Sequence, residues 1–213
     1  PTGPIDPTPT VVMVGLIEQP EHITTQEFKD EGDAILLLGE PVAASDPLLG
    51  LGGSAFLQAV HGLKTGTPPP CDLEREGDLH LALRALIHSG AIKSAHDCSE
   101  GGLAVAVAES CISRQVARDA PRLIGAQIDL SSVAGQRLEA LLFGESQGRV
   151  VISVAPDDAV KVLERARLLG VPAMSLGVVG GPELRIRSGA REWTWDLREL
   201  HDLWWNAIAR AMR

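Results

Sequence analysis

The segment AHDCSEGGLAVAVAES, Ala95 to Ser110, sets His96, Asp97, Cys98, Ser99 and Glu100 directly before Gly101 and Gly102. A carboxylate at the end of a short apolar strand, just ahead of a glycine turn, is placed to hold Mg²⁺ against phosphate oxygens, the hard-ligand arrangement that magnesium prefers. Side chains alternate in extended chain, so Ser99 shares a side with Asp97, while Glu100 points the other way and complements the helix N-terminus. His96 fits either a base or a hydrogen-bonded structural histidine, and its isolation at a strand end favours the second. Cys98 beside a helix N-terminus would have a lowered pKa. A cysteine nucleophile, however, needs an oriented histidine and a third partner, and adjacent residues of extended chain point apart. No catalytic residue is assigned.

Two further turns share this glycine-rich character: LGGSAF, with Gly53 and Ser54, and FGESQGRV, with Glu145, Ser146 and Gln147. Where small residues lead into a helix, several backbone N–H groups lack partners and face outward with the positive end of the helix dipole behind them. Glycine lets the backbone approach a phosphate closely, and Ser54 or Ser99 adds either a hydroxyl donor to it or an ordinary helix cap. None of these turns matches a Walker loop or the dinucleotide fingerprint. The GESQGR turn could hydrogen-bond a substrate or simply connect a helix to a strand.

The elements that must position these turns alternate along the chain. Strands are expected at Thr10 to Ile17, GDAILLLG, IKSAHD, GAQIDL, RVVISV, AMSLGVV, ELRIR and EWTWDL. Helices are expected at AFLQAVHGL, DLEREGDLHLALRALIHSG, LAVAVAESCISR, AGQRLEALLF, DDAVKVLERARLLG and LRELHDLWWNAIARAM. This mixture predicts an α/β domain, helices packed on a mixed sheet. Residues 1–9, PTGPIDPTP, read as a linker from a preceding domain, and residues 10–213 as a single domain, since 213 residues with 45% apolar content bury one sizeable core.

Composition bounds the function. A net charge of −9, from 28 acidic against 19 basic residues, disfavours a nucleic-acid surface, which needs a concentrated positive footprint. The apolar runs are short and broken, well under the roughly 20 residues that span a bilayer, so a soluble protein without a membrane partner is expected. Three cysteines without C-x-x-C spacing argue against a disulfide framework or structural zinc and fit a reducing cytoplasm. Trp193, Trp195, Trp204 and Trp205 fit core or interface packing better than a base-stacking surface.

The ordered segments PTPTVVMVGLIE, LGGSAFLQAVHG, AHDCSEGGLAVAVAES and LLFGESQGRVVISV resemble the second half of the synthetase subunits of the phosphoribosylformylglycinamidine synthase family, over about Pro7 to Gly180. That family is similar to aminoimidazole ribonucleotide synthetase, thiamine monophosphate kinase and selenophosphate synthetase. The resemblance implies a C-terminal domain of the aminoimidazole ribonucleotide synthetase type, an α/β/α layer that is partly ferredoxin-like. It implies ATP-dependent amidation of formylglycinamide ribonucleotide: the formyl amide oxygen is phosphorylated, ammonia attacks, and phosphate leaves. By this resemblance Asp97 is similar to an Mg²⁺-coordinating aspartate, Ser99 to a nucleotide-contacting serine, and Gly101 and Gly102 to the backbone beside it, in an auxiliary ATP or ADP site. Glu145 to Gln147 are similar to a substrate-binding triplet, while Gly53 and Ser54 are candidates for phosphate or substrate by the chemistry of their turn alone. The implied partners are the N-terminal domains of the same enzyme, a glutaminase subunit that supplies ammonia, and a small accessory subunit. The catalytic histidine belongs to other domains, so the chain alone is expected to be inactive. Other readings are a non-catalytic scaffold domain, an independent small kinase-like enzyme, or another ATP-using relative.

Overall fold

In the computed structural model, residues 9–117 and 120–212 are described. In chain order the elements are β1 (Ala34–Leu38), α1 (Ala55–His61), α2 (Leu73–His88), β2 (Ile92–Asp97), α3 (Gly102–Ile112), β3 (Gln115–Ala117), β4 (Ala120–Pro121), β5 (Ala126–Asp129), α4 (Leu138–Phe143), β6 (Val150–Val154), α5 (Ala159–Leu168), β7 (Ala173–Val179), β8 (Glu183–Ser188), β9 (Arg191–Asp196), α6 (Leu197–Trp205) and α7 (Ala207–Ala211).

The unbroken apolar run of β1 follows from burial on both faces of the sheet. Ile35 and Leu37 enter one core, with Leu103, Val107 and Leu141. Leu36 and Leu38 enter the other, with Leu79, Leu86 and Val162. The sheet thus separates two apolar layers, one under α3, α4 and α6 and the other under α2 and α5, which makes the α/β/α arrangement.

Seven strands form the main sheet in the order β2-β6-β1-β7-β5-β8-β9, and β3 and β4 form a separate ribbon. Within it β1-α2-β2 and β6-α5-β7 interleave as β2-β6-β1-β7, antiparallel throughout, with both helices on one face. This is the ferredoxin-like portion. β5, β8 and β9 extend it, and the parallel β5–β8 pair makes the sheet mixed.

Three local expectations change. Thr10 to Ile17 forms no strand: Val11 is 84% and Val14 95% exposed, and no strand among the described residues pairs with the segment. The helix expected from Ala134 begins only at Leu138, after a short 3-10 turn at Ser131–Val133. The last helix breaks at Asn206, whose backbone leaves the helical region and whose side-chain amide donates to Asp202 Oδ1 at 2.7 Å. Among the described residues, no helix is long and apolar enough to cross a membrane.

Candidate functional site

β2 delivers the first candidate residues. It pairs with β6 up to Asp97 opposite Val150, and Cys98 N–H continues the ladder to Arg149 O at 2.9 Å. Alternation then sends Cys98 into the core and leaves Asp97 and Ser99 outside. The Ser99 hydroxyl donates to Asp97 Oδ2. That bond, helped by His96, holds the Asp97 carboxyl below the usual aspartate range.

The chain turns into α3 through Gly101 and Gly102, at φ +79° and +66°. A Cβ on Gly102 would lie 2.6 Å from Gly144 O and 2.9 Å from Leu142 O, so this glycine brings the start of α3 against the end of α4. Gly102 N–H donates to Ser99 O at 3.0 Å, closing the turn.

His96 is half-buried. Its Nε2 lies 2.8 Å from Glu109 Oε2 on α3, and its Nδ1 lies 3.4 Å from Asp97 Oδ1. The Glu109 contact raises the His96 pKa, burial opposing it, and in return lowers that of Glu109. Glu109 Oε1 also accepts from Trp204 Nε1 of α6 at 3.0 Å. His96, Asp97, Ser99, Glu100, Ala106 and Glu109 line a cavity of about 330 Å³. The Cys98 thiol is pushed up to about 11 by burial, which leaves it protonated near neutral pH.

The three glycine turns converge. Glu145 Oε1 accepts from Gly101 N and from Ala55 N, each at 2.8 Å, so one carboxylate oxygen joins the GESQGR turn to the starts of α3 and α1. Ser54 is buried: its hydroxyl donates to Leu51 O at 2.7 Å and accepts from Leu57 N at 3.3 Å, capping α1. Gly53 is exposed, with open space where a Cβ would stand. Ser146 and Gln147 face elsewhere, lining with Glu40, Arg75 and Glu76 a cavity of about 470 Å³. The structure therefore sets Asp97 and Ser99 together on one cavity, ties Glu145 to Gly101 of the turn that follows them, and places Ser146 and Gln147 on a different cavity.

The sequence reading passes over Glu109 and Arg149, and gives Trp204 a packing role only. Arg149 is buried, donating to Pro41 O at 3.0 Å and to Gly144 O, and so holds the loop that carries Glu145. The one available signal for Glu109 was a lone carboxylate within the apolar run of α3. Trp193, Trp195 and Trp204, with Phe56, Leu138 and Leu203, border an apolar groove of about 700 Å³ instead of filling the core.

Among the described residues, no three His, Cys, Asp or Glu side chains cluster to hold a metal. Asp97 nevertheless fits a magnesium site of the kind that takes one carboxylate from the protein and completes its shell with phosphate and water oxygens. Its side chain is 70% exposed and its carboxyl is held in the charged form.

Comparison with known proteins defines the class first. Residues 30–187 match the family described as AIR synthase related protein, C-terminal domain, and the chain belongs to that family. Among curated proteins it is similar to phosphoribosylformylglycinamidine synthase subunit PurL. The Anaeromyxobacter sp. (strain K) protein is 39% identical over 209 residues, covering 97% of this chain and 26% of that protein. The Moorella thermoacetica protein is 39% identical over 212 residues, covering 99% and 27%. The chain thus spans about a quarter of the length of these curated relatives. Among solved structures, Thermotoga maritima PurL complexed with FGAR superposes with a TM-score of 0.67 at 21% identity, over 85% of this chain and 30% of that one. The same protein complexed with ATP gives 0.62 at 19% identity, over 85% and 28%. These structural likenesses support the fold.

Proposed function

We propose that this chain is a C-terminal-type domain of the synthetase subunit of phosphoribosylformylglycinamidine synthase and contributes Asp97 and Ser99 to an auxiliary Mg-nucleotide site. The carrying observation is the exposed Asp97–Ser99 pair at the end of β2, above a closed glycine turn and beside a cavity, in a family member whose curated relatives bear that name. The whole enzyme is an ATP-dependent ligase of purine biosynthesis that converts formylglycinamide ribonucleotide and glutamine-derived ammonia to the amidine. Its partners are the preceding domains of the same polypeptide, a glutaminase subunit and a small accessory subunit, and it works in the cytoplasm.

In this reading Asp97 is the chain's ligand to Mg²⁺ and Ser99 contacts the nucleotide, while buried Gly101 and Gly102, whose N–H groups go to Glu145 Oε1 and Ser99 O, shape the turn beside the nucleotide and do not bind its phosphates directly. Ser146 and Gln147 face the substrate side from their own cavity, and Gly53 and Ser54 shape the turn at α1. The ion, when bound, neutralises phosphate charge. Ser99 orients the carboxylate, and Glu145 keeps the turn in place by tying it to α1.

In the full-length protein, Asp97→Ala is expected to weaken Mg-ADP binding by roughly ten-fold or more, measured by calorimetry, as loss of a metal-site group does. Unchanged nucleotide retention together with wild-type thermal stability would overturn the assignment. A scaffold role is the second reading, favoured by the way Glu145 already occupies the N–H groups of two glycine turns. Under it, the wild-type protein shows no Mg-ADP binding that depends on Asp97.

A further inference from the structure

We propose that Glu109 and Trp204 are positioning residues for Asp97: with His96 they form a hydrogen-bonded chain that ties α6 to the end of β2 and sets the orientation of the Asp97 carboxylate. The proposal rests on the assignment of Asp97 to an Mg-nucleotide site.

The geometry is continuous across three elements. Trp204 Nε1 on α6 donates to Glu109 Oε1 at 3.0 Å, and Glu109 Oε2 on α3 lies 2.8 Å from His96 Nε2 on β2. The far side of the same ring, Nδ1, faces Asp97 Oδ1 at 3.4 Å, while Ser99 engages Oδ2. Both Glu109 oxygens are thus engaged, the imidazole is hydrogen-bonded through Nε2, and its Nδ1 stands within ion-pair range of the Asp97 oxygen that Ser99 leaves free. An exposed aspartate otherwise samples several rotamers, whereas a metal ligand acts best when groups behind it fix its direction.

Two features argue that the chain serves geometry more than stability. Exposed and half-exposed ion pairs contribute little to folding, and here the Asp97 side chain is 70% and Glu109 27% exposed. Trp204, on an amphipathic helix, is itself 36% exposed and stands at the rim of the apolar groove, so its hydrogen bond is not a by-product of deep burial. It also lines the cavity that holds His96 and Asp97 on the side of Thr24 to Glu27. α6 begins at Leu197, beyond residue 187 where the family match ends, so this tie adds an element from outside the matched domain.

The test uses full-length protein and calorimetry with ADP, with and without Mg²⁺. Trp204→Phe keeps an aromatic ring and removes the N–H; Glu109→Gln is the second variant in case the first folds poorly. Each is expected to weaken Mg-ADP binding roughly three- to ten-fold, the factor that one hydrogen bond gives, with Mg-free ADP binding and melting temperature unchanged. In the Asp97→Asn background the effect of Trp204→Phe is expected to vanish, because the chain acts through that carboxylate. Unchanged Mg-ADP affinity, equal losses with and without Mg²⁺, or an effect that persists in Asp97→Asn would each overturn the proposal. If Asp97→Ala itself leaves Mg-ADP binding intact, the site assignment fails. If Asp97→Ala abolishes binding while Trp204→Phe and Glu109→Gln leave it intact, the positioning chain alone fails.

Discussion

Glu145→Ala removes one oxygen that serves two backbone donors, Ala55 N and Gly101 N, both at 2.8 Å. Both N–H groups stand at helix starts, where no intrahelical carbonyl can take them. A hydrogen bond to a carboxylate contributes about 1.5–3 kcal/mol, so two would give about 3–6 kcal/mol if nothing replaced them. Glu145 is only half-buried, however, and water can reach the vacated donors, which brings the expected loss to about 2–3 kcal/mol. Glu145→Gln keeps an acceptor oxygen in place and loses only the charge, for which about 1 kcal/mol is expected.

Equilibrium urea unfolding of the chain, followed by circular dichroism, measures both losses. Amide exchange at Ala55 and Gly101 then localises them: both amides are expected to exchange faster in Glu145→Ala, while those of β1 stay protected. Equal destabilisation by Ala and Gln would show that packing, and not the hydrogen bonds, carries the effect. A loss in Glu145→Ala below about 0.5 kcal/mol would refute the claim that this carboxylate ties the turns together.

Two further outcomes follow from the same region. Gly102→Ala and Gly53→Ala impose nearly the same backbone cost, at φ +66° and +68°, but only the first places a Cβ within 2.6 Å of a carbonyl oxygen; about 3 kcal/mol against about 1 kcal/mol is expected by thermal melting, and equal shifts would remove the packing explanation. Alkylation of the native chain at pH 8 is expected to modify exposed Cys71 alone, since Cys98 is buried with its thiol pushed up to about 11 and burial raises Cys111 as well; comparable labelling of Cys98 and Cys71 by mass spectrometry would contradict this.

Most of the layer architecture was legible because it depends on local pattern. The apolar run at Ala34–Leu38 reads as doubly buried, and the stripe of Leu79, Leu83, Leu86 and Ile87, ending at Gly90, announces α2. The outward alternation of Asp97 and Ser99 around Cys98 was legible for the same reason. The glycine turns read as donor-rich ends suited to a phosphate, and in the structure a carboxylate from 44 residues away, Glu145, accepts from Gly101. No local signal carries such a pairing. The Glu109–His96 and Trp204–Glu109 bonds, across 13 and 95 residues, escape pattern reasoning in the same way.

The segment Thr10 to Ile17 shows the converse limit. Its β-branched, apolar residues state a need: an edge of unpaired N–H and C=O groups with an apolar face beside it. The main sheet has β2 and β9 at its edges. Beside β2, Ala95 N–H already donates to Thr25 O at 3.1 Å. β9 presents Arg191, Glu192 and Thr194 in an almost wholly exposed pattern, and charged edges discourage the addition of another strand. Neither edge therefore answers the need, and Leu16 and Val14 remain 95% exposed. Strand propensity identifies which residues require pairing, whereas the topology decides whether a partner is at hand; among the described residues the second condition fails while the first holds.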